Sequence, residues 1–120
     1  MIKKFKDKTP KTEKAIFVAE NATIIGDVEL SEDTSIWFGA VLRADLDSIK
    51  LGRGSNVQDN CTLHGDKGYP VIIGEDVTIG HNAVVHGCED LSGLAEGSHC
   101  KEVGRNKELK SRSIIRWTER

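Results

Sequence analysis

Aliphatic residues recur at every sixth position along much of this chain. They stand at Val18, Ile24, Leu30, Ile36 and Leu42, resume at Leu51, Val57 and Leu63, and return at Ile73, Ile79 and Val85. Four residues after these anchors come Ala22, Val28, Thr34, Ala40, Ser55, Cys61, Val77 and Ala83, nearly all small or β-branched. A period of six is neither the helical 3.6 nor the two of a simple hairpin. It suits short β-segments that each bury one aliphatic side chain and then turn a corner. Three segments close one triangular coil, and stacked coils join their aliphatic residues into continuous ladders, as solenoids do.

Two interruptions reset the count: three extra residues between Leu42 and Leu51, and four between Leu63 and Ile73. Both read as loops leaving a corner, the second with strong turn chemistry in Asp66-Lys67-Gly68-Tyr69-Pro70. With three segments per coil, Leu42, Leu63 and Val85 are expected to stack on one face, and Val18, Ile36, Val57 and Ile79 on another. The chain thus divides into an N-terminal segment over 1–14, a mainly β hexapeptide-repeat domain over 15–88 and a divergent tail over 89–120. Lys101 to Trp117 is expected to include a short helix, against Gly104 and the Ser111-Arg112-Ser113 cluster. A last coil without a cover would expose a row of unpaired backbone groups.

Seventeen basic residues against nineteen acidic ones give no charge surplus to suit nucleic acid, and no apolar run is long enough for a membrane. The basic start, Met1 to Lys8, leads into no hydrophobic stretch, so a cytoplasmic location is expected. Cys61, Cys88 and Cys100 are odd in number and form no Cys-x-x-Cys pair, which argues against a disulfide framework and a thiolate metal site.

Histidines supply the candidate chemistry. His64 and His86 each directly follow a core aliphatic residue, so strand alternation points both outward, on one face and one coil apart. Neighbouring strands lie about 4.8 Å apart, a spacing from which two imidazoles can reach one ion at about 2.0–2.1 Å. His81 precedes the corner and diverges from them within one chain, but a second subunit around a threefold axis would let it complete a tripod. Three nitrogen ligands with an open fourth position describe a catalytic zinc site. His99 lies outside the repeat and is read as ordinary.

The elements Arg43-Ala-Asp45, Asn56-Val-Gln58-Asp59-Asn-Cys-Thr-Leu-His64 and Gly80-His81-Asn-Ala-Val-Val-His86-Gly87 resemble the signature of the γ-class carbonic anhydrase family, a branch of the left-handed β-helix hexapeptide-repeat proteins. The likeness runs from about Ala15 to Cys88. It implies a single-stranded left-handed parallel β-helix, a homotrimer and a metal at each subunit interface, zinc first, with iron or cobalt as alternatives. It also implies that His64 and His86 come from one chain and His81 from the next, that Arg43 and Asp45 form salt bridges at the interface, and that Gln58 and Asp59 line the site. The implied reaction is reversible hydration of carbon dioxide to bicarbonate, by a metal-activated water. Leu46 stands where well-known active members carry a glutamate, and the proton-shuttling glutamate of their acidic loop has no evident counterpart. Members usually continue with further coils and a C-terminal helix, so the sequence after Cys88 is expected to be altered or truncated. Hexapeptide acyltransferases share the repeat, and a non-catalytic trimeric scaffold would keep it too.

Overall fold

The computed structural model describes residues 1–87 and the backbone of residues 115–117. Its strands wind as a left-handed parallel β-helix. One sheet runs β1 (Ile2–Lys3), β3 (Thr23–Leu30), β5 (Val41–Leu51), β7 (Thr62–His64) and β10 (Val84–His86), with β8 (Val71–Ile73) pairing the far end of β5. A second stacks β2 (Phe17–Val18), β4 (Ser35–Ile36), β6 (Asn56–Val57) and β9 (Val77–Ile79). Both expected ladders are present. Leu42 lies opposite Leu63 and Leu63 opposite Val85, while Val18, Ile36, Val57 and Ile79 pair in succession.

The six-residue period works because each segment buries its central aliphatic residue on the axis. Ile24, Ile36, Leu42, Val57, Leu63 and Ile79 have no exposed surface, and each such burial contributes about 1.5–3 kcal/mol. The residues four positions on, such as Ala22, Thr34, Ala40, Ser55 and Cys61, are buried at the corners, where only small side chains leave room for the next rung. Ser55 shows how a polar corner is satisfied: its hydroxyl donates to the Gly74 carbonyl at 2.6 Å and accepts from the Val77 N–H at 2.9 Å. Burial pushes the Cys61 thiol above its usual range despite offsetting backbone hydrogen bonds, so it is unsuited to act as a nucleophile.

The first interruption is a bulge. Gly26 pairs with Ala44 and Val28 with Ile49, so residues 45–48 loop outward where the rung below needs one residue. Gly26 makes that crossing tight. Its φ is +84°, and an added Cβ would stand 2.2 Å from the Ala44 carbonyl oxygen of the next rung. Gly26→Ala should therefore cost about 1–3 kcal/mol of stability in urea titration. A loss under about 0.5 kcal/mol would mean that the corner opens freely.

Residues 1–14 carry no hexad yet lie on the first coil. Ile2 pairs with Ile24, the Ile24 N–H donates to the Met1 carbonyl at 2.8 Å, and Lys11 bridges Glu29. The helix expected within 101–117 needs correction where it can be seen: Ile115–Trp117 forms strand β11, antiparallel to β9, with Ile115 opposite Ile79. The rest of that stretch lies outside the described residues. The physical reason is the open edge of β9, whose unpaired backbone groups take up a β-branched and aromatic segment more readily than a helix could satisfy them. The described residues contain no helix, hence none long and apolar enough to cross a membrane.

Candidate metal centre

His64 ends β7 and His86 ends β10, and the two strands pair in parallel with these residues directly opposite. Leu63 and Val85 point to the axis, so the histidines point outward. Their rings stack with centroids 5.0 Å apart and planes 20° from parallel. Both are largely covered, with 16% and 13% of the side chain exposed, and Arg43 occupies the same position one rung below His64.

Each imidazole meets a carboxylate. Asp45 Oδ1 lies 3.1 Å from His64 Nε2, while its Oδ2 accepts from Arg43 Nη1 at 2.9 Å. Burial alone would raise the Asp45 pKa, but the hydrogen bonds from Arg43 and His64 and the guanidinium charge outweigh it and hold the carboxyl below its usual range. Asp66 Oδ2 lies 3.6 Å from His86 Nε2. The carboxylate bonded to His64 is of the kind that metal sites use to fix the orientation of a ligand ring, and Asp66 lies near His86 without reaching hydrogen-bond distance.

His81 stands apart. It sits at the corner after β9 with 64% of its side chain exposed, its Nδ1 3.7 Å from Asp59 Oδ1. Gln58 and Asp59 belong to the same edge one rung below, since Gln58 donates its N–H to the Ile79 carbonyl at 3.0 Å and Asp59 accepts from Asn82 at 3.0 Å. Face β7–β10 therefore separates two half-sites: Arg43, Asp45, His64 and His86 at one end, Gln58, Asp59 and His81 at the other. Among the described residues, no group of three or more His, Cys, Asp or Glu side chains converges within the chain to hold a metal ion.

Two residues escaped the sequence reading. In the sequence Asp66 reads only as part of a turn, although its position two after His64 matches that of Asp45 two after Arg43, a signal that both carboxylates return to the same side. Asp47 pins the two loops together, its Oδ2 accepting from the Gly68 N–H at 2.9 Å. A cavity of about 310 Å³ opens between the bulge and the Phe5–Lys8 turn, and Asp45 and Leu46 both line it.

Comparison with known proteins adds lineage to this geometry. No protein-family model matches the sequence. The chain is 50% identical over 88 residues to mitochondrial gamma carbonic anhydrase 3 of Arabidopsis thaliana, an alignment covering 68% of this chain and 34% of that protein. It is 43% identical over 86 residues to a carbonic anhydrase of Geobacillus kaustophilus, covering 72% of this chain and 47% of the other. The chain belongs to the γ-class carbonic anhydrase-like family of hexapeptide-repeat proteins. A crystal structure of a hexapeptide transferase family protein from Anaplasma phagocytophilum superposes with a TM-score of 0.69 at 41% identity, over 74% of this chain and 52% of that one. The chain thus spans a third to a half of the length of the γ-class relatives named here.

Proposed function

We propose that this chain is a γ-carbonic anhydrase-like metalloprotein that hydrates carbon dioxide reversibly to bicarbonate at the interfaces of a homotrimer. The observation that carries the reading is the stacked pair His64 and His86, each ring beside its own carboxylate, with His81 left exposed on the opposite edge. Two imidazoles are too few for a catalytic zinc ion, and a third from a neighbouring copy completes the nitrogen set that zinc favours, with iron or cobalt as alternatives. When bound, the metal supplies an activated water at neutral pH for attack on the substrate carbon.

The chain's own residues position the rest. Asp45 holds His64 and ties it to Arg43, so the guanidinium, carboxylate and imidazole move as one unit. Asp66 stands 3.6 Å from His86, on a loop that Asp47 fastens to the bulge, and is the carboxylate placed to support that ring. Gln58 and Asp59 arrive with His81 from the neighbouring copy, where the neutral amide can only orient a water and Asp59 steadies His81. Leu46 brings no proton-transfer group to the cavity beside Asp45, so proton release depends on other routes, and turnover should be slow. Asp66→Ala should weaken zinc binding about 10–100-fold, read by competition with a chromophoric chelator. Unchanged affinity would mean that the loop carboxylate does not support His86.

The deciding experiment combines zinc content per chain, solution mass and carbon dioxide hydration before and after chelation. One ion per chain, a mass of three chains and activity lost with the metal are the expected results. A metal-free monomer would defeat the reading. The likeness to the Anaplasma hexapeptide transferase family protein favours a second reading, a hexapeptide acyltransferase using histidine as a base, which predicts acyl-CoA turnover indifferent to chelators. A non-catalytic trimeric scaffold predicts neither activity. We place the protein in the cytoplasm, although the Arabidopsis relative is mitochondrial by its name.

A further inference from the structure

Phe17, Trp37 and Phe38 form an aromatic cluster on the outside of the solenoid. Phe17 lies 4.6 Å from Trp37 and 6.0 Å from Phe38 between ring centroids, and Trp37 lies 6.2 Å from Phe38. Phe38 is 46% exposed, and the adjacent Ile16 is more exposed still. Aromatic rings grouped this way on a surface mark places where another molecule docks, since covering them removes a large apolar area from water.

Position in the coil indicates what covers them. Trp37 and Phe38 lead from β4 into the corner that carries Gln58 and Asp59 one rung up and Gly80 and His81 above that. The ladder continues through this corner: Asn60 donates its N–H to the Phe38 carbonyl at 2.9 Å, and Asn82 to the Asp59 carbonyl at 3.0 Å. Phe38, Asp59 and His81 therefore form one column, a rung of about 4.8 Å apart. Strand pairing forms a second column at the far end of the adjoining face, of Ile25, Arg43, His64 and His86.

The chain climbs steadily along the solenoid axis, so the heights of the two columns interleave in sequence order. A threefold rotation about a parallel axis changes no heights. The rotation that brings His81 between His64 and His86 of the partner subunit therefore also brings Asp59 level with the gap between Arg43 and His64 of the partner subunit. It brings Phe38 level with the gap between Ile25 and Arg43 of the partner subunit. The charges suit this pairing, because the first column carries a half-exposed carboxylate and the second a half-exposed guanidinium. Arg43 is already held by Asp45, which leaves the planar cation ready to lie against an aromatic ring.

We infer that the Phe17–Trp37–Phe38 cluster is the apolar anchor of the trimer interface, docking on a second copy of this chain beside Arg43 of the partner subunit. The inference rests on the shared metal site proposed above. It adds a division of labour: the aromatic rings supply association, and His81 supplies only a ligand two rungs higher.

The test uses the full chain with zinc. Phe38→Glu places a carboxylate on an exposed position, so the fold should survive by circular dichroism. The mass should fall from three chains to one, and bound zinc per chain at least tenfold with all three histidines present. A Phe38→Glu trimer with full zinc overturns the inference and leaves the shared site standing. A wild-type trimer that keeps its zinc after His81→Ala overturns the shared site instead. If Phe38→Glu does not fold, Trp37 decides: in a Trp117→Phe background, association should shift its emission to the blue and shield it from acrylamide. A trimer in which Trp37 stays fully quenchable overturns the inference, and a wild-type chain that stays monomeric with zinc overturns both.

Discussion

His81→Ala should leave a folded chain that no longer binds zinc and hydrates carbon dioxide at the uncatalysed rate. The side chain is 64% exposed, with Asp59 3.7 Å from its ring, so its removal takes almost nothing from the core. In the proposed trimer it is one of three donors to each ion. Losing a direct ligand should cost more than the roughly 10–100-fold in affinity that loss of an outer partner costs. Isothermal titration with zinc, alongside urea unfolding of the metal-free chain, separates the two effects. Zinc affinity within threefold of wild type would mean that His81 is an ordinary surface residue.

Leu63→Ala should act in the opposite order, on stability first. Leu63 has no exposed surface and lies between Leu42 and Val85 in the axial ladder, next to His64 in the chain. Truncating a fully enclosed leucine costs about 2–5 kcal/mol, because the rungs above and below are hydrogen-bonded and cannot close the void. Urea titration of the metal-free protein reads that loss. The same substitution should loosen the contact between His64 and His86, so zinc should stabilise the variant less than the wild type. A loss below about 1 kcal/mol would show that the coil collapses around the gap.

The repeat was legible because each hexad anchor has one place to go. With Leu42, Leu63 and Val85 on one face, the next residue of each segment places His64 above Arg43 and His86 above His64, and the strand pairing has that register. Residues 1–14 were harder, since they join the first coil through backbone pairing that leaves no six-residue pattern. Asp66 lay hidden in a loop whose Gly68 and Pro70 drew attention to the turn rather than to the carboxylate. The link from Asp45 to His64 was equally invisible, because a sequence shows that Arg43 and Asp45 are neighbours but not that one carboxylate has two partners. The strand at Ile115–Trp117 depends on an edge that exists only after the coil has formed.

The strand pairing carries a lesson about folding. Partners along the coil are about one turn apart in sequence, as with Ile24 and Leu42 or Leu63 and Val85, and each rung touches only the ones above and below. Within the parallel coil, assembly can thus start at any turn and spread by zippering without closing a loop larger than a single turn, and among the described strands only the pairing of β11 with β9 spans more chain. The mechanical counterpart is local failure: a defect in one turn weakens its two neighbours and is felt little beyond them.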